Sequence, residues 1–239
     1  QIRQTDVAGN VSDAVNLGDV TVDATLAAPS LALTTDTNIT DDGITSNGEV
    51  TVSGLEADAT WEYTTDGGSN WIGGTGTTFT LDEGVYADGV VQIRQTDVAG
   101  NVSDSVNLGD VTVDATIAAP SLALTTDTNV TDDGITSNGE VTVSGLEADA
   151  TWEYSLDGGS NWIDGTGTTF TLAEGGYADG VVQIRQTDVA GNVSDAVNLG
   201  DVTVDATIAA PSLALTTDTN VTDDGITSNG EVTVSGLEA

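Results

Sequence analysis

The chain repeats itself with a period of 91 residues, and this repeat constrains the fold more than any other feature. The motif Gln-Ile-Arg-Gln-Thr-Asp begins at Gln1 and returns at Gln92 and Gln183. Of the 148 positions that have a counterpart 91 residues further on, nine differ. Solenoid repeats are about 20 to 50 residues long, whereas a longer period of this size matches one small autonomous domain. The sequence therefore predicts a tandem array of near-identical domains.

The three prolines of the chain predict where one domain ends and the next begins. Pro29, Pro120 and Pro211 each lie in a segment Asp-Ala-Thr-x-Ala-Ala-Pro-Ser, which we interpret as a short linker stiffened by its proline. We expect the sequence to be a window on a longer array. The predicted spans are a partial repeat at 1–25, whole domains at 26–116 and 117–207, and the start of another repeat at 208–239.

Within one repeat, short runs of alternating apolar and polar residues are separated by turn residues, which is the pattern of an all-β sandwich. Residues two apart, such as Val50 with Val52, would face the core. The predicted strands of the first whole domain are 30–34, 49–54, 60–65, 70–72, 77–81, 90–96 and 106–113. The predicted turns are 66–68, 73–74, 88–89 and 99–101, where Gly or Asn can adopt positive φ.

Three side chains of the repeat have simple structural interpretations. We assign Trp61 and Trp71 to core or inter-sheet packing, because aromatic side chains bury large apolar surfaces. Arg94 is the only cation of its repeat and lies between inward-facing neighbours, so we expect it to point outward. A cross-strand pair with Glu62 is the expected contact, and we assign no function to it.

The composition limits the possible partners. The chain contains 39 Asp and Glu against three Arg, has a formal net charge of -36, and contains no Lys, His, Cys or Met. Such a polyanion cannot neutralise a phosphate backbone or an anionic membrane surface, so we expect no nucleic-acid binding and no direct membrane binding. Without His or Cys, the available metal ligands are hard oxygens. These suit calcium first and magnesium second.

Several stretches of each repeat resemble one known family. The motifs are Ala-Pro-Ser-Leu-Ala-Leu from Ala28, Thr-Trp-Glu-Tyr from Thr60, and Val-Gln-Ile-Arg-Gln-Thr-Asp-Val-Ala-Gly-Asn-Val-Ser from Val91. They are similar to the bacterial Ig-like extender repeats of giant RTX-type and biofilm-associated surface adhesins. The resemblance covers the whole repeat. It implies an all-β fold, in which Ig-like β-sandwich domains form a tandem array. It also implies an extracellular protein that is exported by type I secretion to the bacterial cell surface.

The same resemblance implies a mechanical role. In this family, tandem domains hold a ligand-binding tip away from the cell and calcium stiffens the array. The family's membrane-retention region, glycine-rich RTX nonapeptides and sugar- or ice-binding modules are not recognisable in these 239 residues. The parent adhesin is therefore not identified by the resemblance.

In an Ig-like sandwich, the loop after the first predicted strand lies at the pole where the last strand leaves. The loops after the second and sixth strands lie at the opposite pole, so an array would bring acidic loops and a linker aspartate together. Without a counterion these carboxylates would repel one another, and calcium takes about six to eight oxygen ligands. We therefore predict calcium at the junctions between repeats.

The predicted calcium ligands fall into four groups. For each group, the simpler alternative is that the side chains are solvated surface charges or form Asx turns. Three further aspartates, Asp66, Asp104 and Asp110, are not counted as ligands, because we prefer that alternative for them. The linker group is Asp23, Asp114 and Asp205. The group after the first strand is Asp36, Asn38, Asp41, Asp42, Asp127, Asp132, Asp133, Asp218, Asp223 and Asp224. The group after the second strand is Glu147 and Asp149, and the group after the sixth is Asp97, Asn101, Asp188 and Asn192.

The function that we expect is that of a calcium-stiffened structural extender, not an enzyme. Its partners would be the neighbouring repeats of a monomeric chain, with no small-molecule substrate. Nothing in the sequence sets one carboxylate pair apart with the apolar shield that would raise a catalytic pKa. Two alternatives stay open: a calcium-dependent ligand-binding module of lectin-like or ice-binding type, and a component of a surface lattice.

Overall fold

The computed structural model describes residues 1–219, 221 and 223–238, and these residues form an all-β chain without an α-helix. They divide into two compact units, Gln1–Thr116 with Val189–Asn192, and Ile117–Asp188 with Val193–Ala239. Each unit contains one ten-stranded β-sandwich, so the predicted tandem sandwich fold is confirmed. Residues 220, 222 and 239 of the predicted span 208–239 lie outside the described residues. Within those residues, no helix has the length and apolar character to cross a membrane.

The sandwich of the first unit consists of three sheets. Its sheet orders are β1-β3-β6, β5-β4-β8-β9 and β2-β10-β7. Strand β2 runs parallel to β10, and the other pairs are antiparallel. The strands are β1 (Ser30–Leu33), β2 (Ile44–Thr45), β3 (Glu49–Ser53), β4 (Thr60–Thr64), β5 (Ile72–Gly73), β6 (Thr78–Thr80), β7 (Gly84–Tyr86), β8 (Gln92–Thr96), β9 (Val106–Asn107) and β10 (Val111–Val113).

The sandwich of the second unit repeats this order 91 residues further on, from β11-β13-β16 through β15-β14-β18-β19 to β12-β20-β17. Two further strands, β21 (Ser212–Leu215) and β22 (Val232–Ser235), pair antiparallel. The ten strands are β11 (Ser121–Leu124), β12 (Ile135–Thr136), β13 (Glu140–Ser144), β14 (Thr151–Ser155), β15 (Ile163–Asp164), β16 (Thr169–Thr171), β17 (Gly175–Tyr177), β18 (Gln183–Thr187), β19 (Val197–Asn198) and β20 (Val202–Val204).

The core of the first sandwich follows the predicted alternation. Val50 and Val52 of β3 are buried, as are Trp61 of β4 and Ile93 of β8. Because successive side chains of a strand point to opposite faces, one residue in two reaches the core. Leu31, Leu33 and Tyr63 pack against this cluster as partly buried residues, and the ring of Tyr63 stacks on Phe79 at 4.3 Å. The predicted core of this domain is confirmed.

The last predicted strand, 106–113, is in fact two strands. Strand β9 pairs with β8, whereas β10 belongs to the sheet formed with β2 and β7. The chain turns between them because Gly109 has a φ of 92°, and its N–H donates to Asn107 Oδ1 at 2.9 Å. Strands β2 and β7 are two and three residues long, and neither was predicted from the sequence.

The predicted glycine turns have a mixed outcome. The turns at 66–68, 88–89 and 99–101 are confirmed by the positive φ angles of Gly67, Gly89 and Gly100. The turn at 73–74 is wrong, because Gly73 belongs to β5 and pairs with Glu62. Gly74 has a packing role instead, since a Cβ there would lie 2.3 Å from the ring of Trp61.

The two tryptophans have different environments. Trp61 is a core residue, as predicted, and its Nε1 donates to the carbonyl of Gly76 at 3.0 Å. Trp71 is wrongly predicted as core, because it is half-buried on the outer face with the guanidinium of Arg94 4.0 Å from its ring centroid. The expected pair of Arg94 with Glu62 is confirmed at 2.6 Å. Stacking against this pair keeps Trp71 on the surface.

Candidate metal centre

Three carboxylates of the first unit meet beside the linker. Asp23 lies in the linker, Glu56 lies in the loop between β3 and β4, and Asp97 directly follows β8. One carboxylate oxygen from each lies within 4.8 Å of the others, and we call these three residues the linker carboxylate group. Asp23 and Glu56 are exposed, whereas Asp97 is only 7% exposed. Three separate chain segments therefore present negative charge to one point.

The carboxylate of Asp97 is held by the residue four positions further on. Oδ1 accepts a hydrogen bond from the backbone N–H of Asn101 at 2.7 Å, and Oδ2 accepts one from Asn101 Nδ2 at 2.7 Å. These bonds stabilise the charged form, and the side-chain bond from Asn101 is the main reason that the pKa of Asp97 lies below its ordinary value. Asp97 therefore stays anionic, as a cation ligand must.

Asn101 also fixes the linker. Its Nδ2 donates to the backbone carbonyl of Asp23 at 3.1 Å. The same contact recurs 91 residues further on, where Asn192 Nδ2 donates to the carbonyl of Asp114 at 2.7 Å. These bonds use the NH₂ end of the amide, so a cation ligated by Asn101 would have to bind its Oδ1.

The predicted residues of the second unit lie at the corresponding places of its own sandwich. Asp188 is 6% exposed at the end of β18. Glu147 Oε1 accepts a hydrogen bond from the backbone N–H of Ala118 at 3.0 Å, which ties the loop between β13 and β14 to the linker. Asp149 has a φ of 60°, a conformation that Asp tolerates better than most residues. Asp205 lies in the linker that follows β20.

The ligands predicted after the first strand lie in the loop between β1 and β2, which we call the acidic loop (residues 34–43). Asp36 Oδ2 accepts a hydrogen bond from the N–H of Asp41 at 2.6 Å, and Asp42 Oδ1 accepts one from Ile44 at 2.9 Å. Asn38 and Asp41 have φ angles of 65° and 67°. Turn formation thus accounts for these residue types. The later copies make the same bonds at Asp127, Asp132, Asp133, Asp218, Asp223 and Asp224.

One atom of the acidic loop is left without a hydrogen bond. Asp36 Oδ1 is buried and has no partner, and the same holds for Asp127 Oδ1 and Asp218 Oδ1. Asp36 also lines a surface depression of about 390 Å³ together with Asp41 and Asp42. A buried carboxylate oxygen without a partner is unfavourable, and a hard cation would satisfy it. The carboxylates of Asp36, Asp41 and Asp42 do not form a close group like the linker carboxylate group.

The donors at both places fit a hard divalent cation. They are carboxylate oxygens, which are among the ligands that calcium prefers. Three carboxylates do not fill a coordination shell of about six to eight oxygens, so carbonyl oxygens or water would complete it. The linker carboxylate group is the better-assembled of the two, because its three oxygens already lie within 4.8 Å of one another.

Sequence reasoning missed two residues of this region. Glu56 was not named, although it lies 91 residues before Glu147, which was. Gln95 is fully buried next to the linker, and no role was assigned to it. The available signal was its position in the alternation of β8, since Val91, Ile93 and Gln95 are two residues apart and face the same side.

No family model and no curated protein matches the chain. Among solved structures, the fibronectin(III)-like modules of Clostridium thermocellum CbhA match with 13% identity and a TM-score of 0.35, over 67% of this chain and 87% of that one. The D00-D0 domain of intimin matches with 15% identity and a TM-score of 0.24, over 72% of this chain and 98% of that one. At TM-scores below 0.5 these likenesses carry no functional argument. The fold assignment rests on the strand order and cores described above.

Proposed function

We propose that the chain is a structural extender segment of a secreted bacterial surface adhesin, in which calcium bound beside each linker stiffens the array. The observation that carries this proposal is the linker carboxylate group of Asp23, Glu56 and Asp97. Calcium bound there would join a linker residue to two loops of the repeat that follows. Bending the linker would then require the breaking of metal–ligand bonds.

Electrostatics gives the reason for a cation. Residues 26–116 contain 15 acidic residues and one Arg, so a single repeat carries a net charge of -14. Carboxylates a few ångströms apart in a partly desolvated place repel each other strongly. Without divalent ions this repulsion would weaken the ordered arrangement of the linker. With calcium the same carboxylates become ligands, and the high charge that remains keeps a long array soluble.

The repeat extends the proposal along the chain. The residues equivalent to Asp23, Glu56 and Asp97 are Asp114, Glu147 and Asp188, and the linker aspartate recurs once more at Asp205. A repeated site of this kind would stiffen an array of any length by the same local step. The proposed role is mechanical, and the proposed partners are neighbouring repeats of the same chain.

A direct test combines small-angle scattering and thermal melting of the full chain in EDTA and across about 0.1 to 10 mM calcium, a range set by the about 10⁻⁴ to 10⁻³ M affinities typical of extracellular calcium modules. Magnesium serves as the control ion. We expect calcium to raise both the maximum dimension and the melting temperature, and magnesium to have a smaller effect. If neither quantity responds to calcium, the proposal is wrong.

Matched variants separate the linker from general surface charge. The linker variant carries Asp23→Ala, Asp114→Ala and Asp205→Ala. The control variant carries Asp13→Ala, Asp104→Ala and Asp195→Ala, which are exposed aspartates at equivalent positions of the three copies. Both variants remove three charges. We expect only the linker variant to lose the calcium response, and an equal loss in both would mean that calcium acts by bulk screening.

A further inference from the structure

A glutamine is buried beside the linker in the first sandwich. Gln95 lies on β8 opposite Trp61 of β4 and is 0% exposed. Its Oε1 accepts a hydrogen bond from the backbone N–H of Glu56 at 2.9 Å. Its Nε2 donates to the carbonyls of Ala27 at 2.9 Å and Gly54 at 3.2 Å. The side-chain amide therefore uses its acceptor and its donors within the fold.

The second sandwich has the same arrangement. Gln186 is 0% exposed, and its Oε1 accepts a hydrogen bond from the N–H of Glu147 at 2.9 Å. Its Nε2 donates to the carbonyls of Ala118 at 2.8 Å and Gly145 at 3.2 Å. The two glutamines thus make equivalent bonds at nearly equal distances. An apolar side chain such as Val or Ile would fill this core position without making any of them.

The bonds of Gln95 join the segments that carry the linker carboxylate group. Ala27 belongs to the linker, four residues after Asp23, and Glu56 contributes its own carboxylate. Gln95 itself lies two residues before Asp97. One uncharged side chain therefore connects the linker, the loop between β3 and β4, and the end of β8.

We propose that Gln95 and Gln186 are positioning residues that assemble the linker carboxylates before a cation binds. This inference rests on the proposed calcium function. Three carboxylates that repel one another separate unless the backbone holds their segments together. The buried amide supplies that hold, because leaving its backbone partners unpaired in the core is unfavourable. Calcium then binds segments that are already ordered. Its binding free energy is therefore not reduced by the cost of ordering them.

The test uses the full chain with two matched pairs of substitutions. The positioning variant carries Gln95→Leu and Gln186→Leu. The control variant carries Gln92→Leu and Gln183→Leu, which also lie on β8 and β18. These control glutamines donate to the carbonyls of Gly89 at 2.6 Å and Gly180 at 2.7 Å, in the turn that precedes each strand and not in the linker.

Two readouts follow the variants. Titration calorimetry with calcium chloride measures the affinity, and hydrogen exchange in EDTA measures the opening of segments 23–30 and 114–121. We expect the positioning variant to bind calcium about tenfold more weakly, within the usual range of coupling between sites, and to exchange faster in those two segments. We expect the control variant to match the wild type in both. Equal affinity and equal exchange in the two variants would overturn the inference.

A second variant guards against a general loss of folding. Gln95→Glu with Gln186→Glu keeps the size of the side chain and an oxygen for the bond to the Glu56 N–H, but a carboxylate cannot donate to the two carbonyls. Near-UV circular dichroism of Trp61 and Trp152 checks that the cores stay packed. With packed cores, weaker calcium binding and faster linker exchange support the inference, and wild-type values overturn it.

The failure of the calcium proposal remains distinguishable from the failure of this one. If neither the maximum dimension nor the melting temperature of the wild type responds to calcium, the proposed function is wrong. Exchange in EDTA then still decides the role of the glutamines, because it involves no cation. Faster exchange confined to the linker segments of the positioning variant supports it, and unchanged exchange overturns it.

Discussion

The same clamp, an aspartate bonded to the asparagine four residues later, occurs at two places in the first sandwich, in two different surroundings. At the linker end, Asp97 accepts two hydrogen bonds from Asn101, four residues later. In the turn between β4 and β5, Asp66 accepts two equivalent bonds from Asn70, at 2.9 and 2.6 Å. Asp66 is exposed, whereas Asp97 is buried and meets the carboxylates of two other segments. The spacing Asp-x-x-x-Asn makes the clamp, and the tertiary position decides whether it can serve a cation.

The largest effect should come from neutralising the linker clamp. Asp97→Asn with Asp188→Asn neutralises the same aspartate in both copies, and we expect the calcium-dependent rise in melting temperature to disappear. For the wild type this rise is on the order of 10 °C, if calcium is about 100-fold above its dissociation constant. Asp66→Asn with Asp157→Asn is the matched control and should retain the rise. An equal response of the two variants would remove the distinction between the two clamps.

A packing defect at Trp61 should lower stability, and it tests how far the core is coupled to the linker end, because Trp61 lies on β4 opposite Gln95. Gly74→Ala brings a methyl group to 2.3 Å from the ring of Trp61, and overpacking of this kind destabilises by about 1 to 3 kcal/mol. Denaturant titration in EDTA and in calcium should give the same loss. Gly73→Ala is the control, since a Cβ there meets nothing within 4 Å. A loss that depends on calcium would show that packing around Trp61 is coupled to the linker carboxylate group.

The exposed clamp of Asp66 with Asn70 should affect how the stability of the protein depends on pH below about pH 5. Its hydrogen bonds, first of all that from Thr64, lower the pKa of Asp66 from 3.8 to about 2. A depressed folded-state pKa stabilises the protein above pH 4, and this contribution is lost as the pH falls towards 2. Melts in EDTA should therefore show the gap between wild type and Asp66→Asn narrowing from pH 5 to pH 2. A constant gap would mean that the clamp does not favour the charged form.

The smallest effect is expected at the ion pair of the first sandwich, between Arg94 and Glu62. Arg94 bonds to Glu62 with side chains about one-third exposed, at 33% and 32%, and lies over Trp71. A double-mutant cycle with Arg94→Met and Glu62→Gln should give a coupling of less than about 1 kcal/mol, since solvent screens such pairs. Calcium affinity should not change. A change in affinity would show that strand β8 transmits charge effects to the linker end.

The fold was largely predictable because it depends on local alternation. The pairs Val50 with Val52 and Trp61 with Tyr63 point to the core as the period of two requires. The short strands β2 and β7 were missed because two or three residues cannot show a period. They exist because β10 offers its backbone on both sides. Trp71 was misplaced because its partner, Arg94, comes from another strand.

The candidate site was predictable in residue type but less so in arrangement. The acidic residues were found because their number and their place in loops are visible in the sequence. The structure brings Asp23, Glu56 and Asp97 together, whereas the acidic loop uses Asp36 and Asp42 in turn bonds. Such a difference depends on loop geometry, which apolar periodicity does not encode. Calcium binding itself stays a prediction at both places.

The most direct test of the account is a crystal structure of the full chain grown with a lanthanide in place of calcium, with anomalous scattering to locate the ion. We expect an anomalous peak among the carboxylates of Asp23, Glu56 and Asp97. The carboxylate oxygens should lie at about 2.3 to 2.6 Å from the ion, as is usual for calcium sites. Ions found elsewhere, with these carboxylates free of metal, would contradict it.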